Sequence, residues 1–142
     1  MSSKRVVELH GQHDSARYER GEAEQGKAVI VAPKVGGAKL SDGSMRKADG
    51  QLAGSPSQIF DAVAILLSDE GTKALLKEGA AVQFAMDAFG HLKAIGASAA
   101  AKPLLDKAGV EPGAGITDTG AAFIDAAKHR FYDRERDVRT LA

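Results

Sequence analysis

Few residues in this chain combine the type and the spacing that chemistry needs, and Ser98 leads them. It stands in "AIGASAAAKPLLDKAG", residues 94 to 109, where a short apolar run meets an amphipathic stretch through a cluster of tiny side chains. Acyl-transfer enzymes project a nucleophile from such a strand-to-helix turn, which exposes the side chain and aims backbone N–H groups at the developing oxyanion. The hydroxyl also needs a base, and no His or acidic residue occupies the next position. A serine before a helix is a good acceptor for the free N–H groups of the first turn, so Ser98 reads as an N-cap.

The other candidates thin out in the same way. His10, His13, His91 and His129 raise the question of a metal. The first two lie close together after an apolar run, but no third ligand stands at a spacing that singles out a site, so they read as surface or capping groups. Tyr18 and Tyr132 could serve as axial haem ligands only with a deep apolar pocket or a basic partner pattern, neither of which the sequence displays. Asp14, Glu19 and Glu22 sit in a polar stretch and read as solvated. The segments "VAPKVGG" and "AVAILLSDEGT" put small residues after apolar runs as phosphate loops do. Neither matches the GxGxxG or GxxxxGK pattern. On the residues alone, no catalytic, cofactor-binding or metal position is assigned.

Composition narrows the field further. The absence of cysteine removes disulfides, thiolate nucleophiles and sulfur-based zinc sites. Nineteen basic residues balance nineteen acidic ones, so there is no electrostatic footprint for nucleic acid or an anionic membrane. No apolar run approaches the roughly 20 residues that span a bilayer, and "MSSKRVVELHG" lacks the apolar segment of a secretory signal. A soluble, cytoplasmic protein is expected, folded as a single domain over residues 1–142 with a charged tail from about residue 133.

The elements that must position any site follow from the apolar pattern. Runs at Arg5 to Leu9, Lys27 to Ala32, Ala62 to Leu67 and Ala94 to Ala97 are short and nearly continuously apolar, as buried parallel strands are. Helices are expected over Ser15 to Gln25, Val82 to Leu92, Ala100 to Ala108 and Thr119 to Tyr132. The second has an apolar stripe of Val82, Ala85, Met86, Phe89 and Leu92; the last has Thr119 as its N-cap. Asp42-Gly43 between alternating stretches predicts a two-residue hairpin turn, and with it a small antiparallel flap between Ala38 and Ala48. These elements make an α/β fold, a mostly parallel sheet with helices on both faces.

The order of "KLSDGSMRKADG", "SPSQIFDAVAILLS", "AVQFAMDAFGHLKAIGAS" and "AAAKPLLDKAGV" resembles the ThiJ/PfpI group of the class I glutamine-amidotransferase-like fold. More closely, "FDAVAILLS", "DAFGHLKAIG" and "AAKHRFYDRERDV" resemble the C-terminal domain of large-subunit haem catalases. The resemblance runs from about Arg5 to Val138 and implies a flavodoxin-like three-layer sandwich. Enzymatic members of the group carry Cys then His at the elbow, an acidic partner after the first strand, and Pro-Gly-Gly after the central strand. Here Ala99 and Ala100 stand at the first pair of positions, and Leu66, Leu67 and Ser68 at the Pro-Gly-Gly. The resemblance therefore implies a non-catalytic accessory domain of a catalase, structural and stabilising, with chaperone-like behaviour as a family expectation. Haem is expected only in the upstream catalase domain, and the implied partners are that catalase core and its oligomer, or further copies of this chain. The alternative is a peptidase, amidase or glyoxalase-like enzyme of the ThiJ/PfpI type that uses Ser98.

Overall fold

The computed structural model describes residues 5–10, 27–32, 37–39 and 43–134. Its centre is a six-stranded sheet of β1 (Arg5–His10), β2 (Lys27–Ala32), β5 (Gly50–Gln51), β6 (Ala62–Leu66), β7 (Ala94–Ala97) and β8 (Ile116–Thr117). The order is β5-β2-β1-β6-β7-β8, and every adjacent pair is parallel. The four strands expected from apolar runs form its middle. Strands β5 and β8, two residues each, are too short to leave a period in the sequence. Asp49 secures the β5 edge, since its backbone N–H donates to the Ile30 carbonyl and its carboxylate accepts from the Ile30 N–H, both at 2.8 Å.

Strand alternation divides the core between two faces. Val63, Ile65, Leu67 and Ile95 enter one apolar cluster, against α1 (Asp69–Leu75), α2 (Gly79–Gly90) and α3 (Lys102–Lys107). Ala62, Ala64 and Ala94 enter the other, against Phe123 and Ala127 at α4 (Ala121–Ala126). The small residues of β7 now have a reason. A Cβ built on Gly96 would meet the Phe123 ring at 2.7 Å and the Asp118 carbonyl at 3.0 Å, so only glycine lets α4 lie this close. The expected α/β layering with helices on both faces is what the chain adopts.

Several elements depart from expectation. The stretch 69–75 is helical, and Ser68 caps it by accepting from the Gly71 N–H at 3.0 Å. "SDEG" carried that signal, a capping residue followed by two acids in the first turn. Helix α2 starts three residues before the expected Val82 and ends at Gly90, because the chain reverses through Leu92 at φ +63°. There the Lys93 N–H reaches the Ala88 carbonyl and the Leu92 N–H that of Phe89, a Schellman closure with leucine in the position usually held by glycine. Its buried face is also rotated: Ala81, Phe84, Ala85, Ala88 and Phe89 are inside, while Met86 is 45% exposed. The last helix is shorter than expected and its N-cap is Gly120, not Thr119. The flap exists, with β3 (Ala38–Lys39) antiparallel to β4 (Met45–Arg46), but Lys39 pairs with Met45. That register centres on residue 42 instead of the 42–43 bond, so the connection holds an odd number of residues and is not the two-residue turn. The expected helix over Ser15 to Gln25 lies outside the described residues. Among the described residues, no helix is long and apolar enough to cross a membrane.

Candidate functional site

The strand order reverses between β1 and β6, and in open parallel sheets ligands gather beyond the carboxyl ends of the strands at such a point. The turn after β7 lies along this edge. Its residues are held by local bonds between neutral groups: the Ser98 N–H donates to the Ile65 carbonyl at 3.0 Å, and the Ala101 N–H to the Ser98 carbonyl at 2.9 Å. The Ser98 hydroxyl does not cap the helix that follows. It accepts from the Leu67 N–H at 3.0 Å and donates to the Leu67 carbonyl at 2.9 Å, bridging both backbone groups of one residue in the neighbouring strand's exit loop. This corrects the N-cap reading.

The chemical consequence is specific. Leu67 stands in the segment where the enzymatic relatives would offer backbone N–H groups to an oxyanion, and its N–H is already spent on Ser98. The one hydroxyl at the turn has its proton committed to a carbonyl. Next to it, Ala99 and Ala100 open a short 3-10 turn, Ala99–Ala101, that leads into α3. The strained geometry of a nucleophile elbow is missing as well, because Leu92 is the only described non-glycine residue with positive φ. Thr72 completes the network by donating from Oγ1 to the Ala100 carbonyl at 2.8 Å, which ties α1 to the turn.

The remaining sequence candidates scatter. His91 and His129 are exposed and lie away from this turn, in the turn after α2 and in the segment after α4. His10 ends β1 in register with Leu66. His13, Asp14, Tyr18, Glu19 and Glu22 lie outside the described residues. Among the described residues, no three His, Cys, Asp or Glu side chains gather as metal ligands do.

The residues that sequence reasoning missed lie at the opposite, amino-terminal edge of the sheet. Lys93, just before β7, is only 1% exposed, and its ammonium donates to the Gln58 and Phe60 carbonyls. Burial pulls its pKa down from 10.5 to about 8, the nearby Arg130 charge pushes the same way, and Asp61 opposes both. Arg134 is 7% exposed and donates to the carbonyls of Phe89, Lys93 and Ala114 at 3.2, 2.9 and 3.1 Å. Its guanidinium carbon sits 4.5 Å from the Phe89 ring centre and 5.4 Å from that of Phe131. Burial lowers its pKa too. The charged exit expected from about residue 133 is, as far as Arg134, a packed 3-10 turn spanning Tyr132–Arg134. Only the recurrence of Arg and aromatic residues in "KHRFYDR" hinted at this.

Comparison with known proteins places these observations. No family model matches the chain. It is 40% identical over 126 residues to "Catalase C" of Rhizobium meliloti (strain 1021), a match covering 83% of this chain and 18% of that protein. It is 33% identical over 121 residues to "Catalase-B" of Dictyostelium discoideum, with 80% of this chain and 18% of that protein covered. The chain thus spans about a fifth of the length of the curated relatives it matches. Among solved structures, Drosophila melanogaster DJ-1beta aligns with a TM-score of 0.72 at 16% identity, covering 98% of this chain and 97% of that one. Oxidised Toxoplasma gondii DJ-1 gives a TM-score of 0.70 at 13% identity, with the same coverage. At such identities the structural likeness speaks to the fold alone.

Proposed function

We propose that this chain, a DJ-1/ThiJ/PfpI-type domain related in sequence to one stretch of the large-subunit catalases, acts as a non-catalytic accessory domain of such a catalase. Its role is structural: it packs on the haem-binding core, stabilises that core and its oligomer, and restricts access to the buried haem. Haem and peroxide chemistry belong to the core, in the cytoplasm, and the domain adds a chaperone-like contribution.

One observation carries it. At the edge where this fold usually works, the Ser98 hydroxyl is spent on both backbone groups of Leu67, and the two positions beside it are alanines. A turn wired in this way supports a domain kept for its packing surface. The test uses the core of a large-subunit catalase from which the matching stretch has been deleted. Adding this chain is expected to slow the thermal loss of peroxide turnover by the core, while the chain alone shows neither turnover nor a Soret band. Unchanged inactivation of the core, or a haem spectrum with turnover from the chain alone, overturns the reading.

A further inference from the structure

A cavity of about 410 Å³ opens at the amino-terminal edge, on the far side of the sheet's strand ends from the Ser98 turn. Its volume lies in the range of small-molecule sites. Three aromatic rings, Phe89, Phe131 and Tyr132, line it together with Arg130 and Arg134. Tyr132 is 70% exposed although it lies in a packed turn.

The charges in this cavity are not equivalent. Glu111 and Asp133 also line it, and like Arg130 both are exposed, where water screens them. Arg134 is more than nine-tenths buried, and its recorded hydrogen bonds all go to backbone carbonyls. A guanidinium has five N–H donors, and those bonds use three, two on Nη1 and one on Nη2. The Nε donor has no acceptor among the described residues, yet it is not among the fully enclosed unsatisfied atoms, of which Ser57 Oγ is the only one described. It therefore borders open space. Among the described residues this buried cation is balanced only by carbonyl dipoles and ring faces, without a counter-ion, and the exposed Arg130 stands at the same cavity.

We propose that this cavity binds a small organic carboxylate with a flat apolar body. The carboxylate meets the free edge of Arg134 and the Arg130 head, and the body lies against Phe131 and Tyr132. The inference does not depend on the proposed catalase role, because it concerns only groups at this edge.

Benzoate is the probe, with acetate, benzyl alcohol and benzylammonium as comparisons, on the full 142-residue chain. Benzoate at about 10 mM is expected to raise the melting temperature, consistent with a dissociation constant of order 0.1–1 mM. Acetate should do less, lacking the ring, and the neutral and cationic analogues should leave the temperature where it was. Amide shifts in a titration should map to 111–114 and 130–134. Arg130→Gln, at an exposed position, should weaken benzoate about fivefold or more, and Tyr132→Ala by a similar factor. If Arg134→Lys folds, it should abolish the response; if it does not fold, the Arg130 and Tyr132 variants decide. The proposal fails if benzoate gives no shift, if benzyl alcohol or benzylammonium matches it, if the amide shifts map elsewhere, or if Arg130→Gln binds benzoate as the parent does.

Discussion

The two edges of the sheet solve the same problem with opposite means. At the carboxyl edge, backbone groups freed where strands end and helices begin are satisfied by short neutral hydroxyls from close by: Ser98 on Leu67, Thr72 on Ala100, Ser68 on Gly71. At the amino edge, two long cations cross the interior to reach backbone carbonyls of distant segments: Lys93 takes Gln58 and Phe60, and Arg134 takes Phe89, Lys93 and Ala114. Hydroxyls fit a turn whose geometry is already fixed by the strands. Cations bind together segments that share no strand, here 57–60, 89–93, 114 and 130–134. At the first edge the hydroxyls are engaged with backbone groups, and the buried cations lie at the second.

The largest effect that would break this contrast is removal of either cation. Lys93→Met and Arg134→Ala are each expected to cost about 3–5 kcal/mol in urea denaturation, because buried carbonyls lose charged donors while the neighbouring packing is also disturbed. A cost below about 1 kcal/mol for both would show that the cations are incidental to the amino edge.

The pH dependence of that edge comes next. Lys93 titrates at about 8 in the folded chain and 10.5 when free, so between these values the unfolded chain holds the extra proton. Stability therefore rises with pH across this window; the contribution is complete above 10.5 and lost as pH falls through 8. The gap in stability between the parent and Lys93→Met should widen by about 2–3 kcal/mol from pH 7.5 to 10.5. A constant gap would mean that the two carbonyls hold the ammonium as well as water does.

The same contrast explains what the sequence disclosed and what it hid. The four central strands and the end of α3 at Gly109 are properties of contiguous residues, so a linear reading finds them. Lys93 looks like any surface lysine between His91, Leu92 and Ala94, because its burial depends on segment 57–60 more than thirty residues away. Arg134 was hidden in a run of charges for the same reason. The buried face of α2 was misread because 81, 84, 85 and 88 repeat as well as 82, 85, 86 and 89 do, and only the packing partner chooses between them. Ser98 falls between these cases: its importance at the turn was legible, but not its partner, since Leu67 lies thirty-one positions away.

Two smaller substitutions sharpen the contrast at the carboxyl edge. Ser98→Ala removes one donor and one acceptor from Leu67 and should cost about 1–2 kcal/mol, measured by thermal unfolding. It should change no hydrolytic rate; loss of a measured hydrolase activity on this substitution would return Ser98 to the role of nucleophile.

Ser68→Ala should have the least effect, and it tests most directly whether this edge is built from independent local bonds. Ser68 accepts from only the Gly71 N–H, in the first turn of a seven-residue helix whose first positions already carry Asp69 and Glu70. Losing the cap leaves an N–H that water can reach, so the cost should be about 1 kcal/mol. Thr72, four residues along, links the same helix to the Ala100 carbonyl, which raises the question of coupling to Ser98. If the hydroxyls act separately, the double variant Ser68→Ala/Ser98→Ala loses the sum of the single costs to within about 0.5 kcal/mol. A coupling above about 1 kcal/mol would instead make the turn after β7 one cooperative network, like the cation-bound edge opposite.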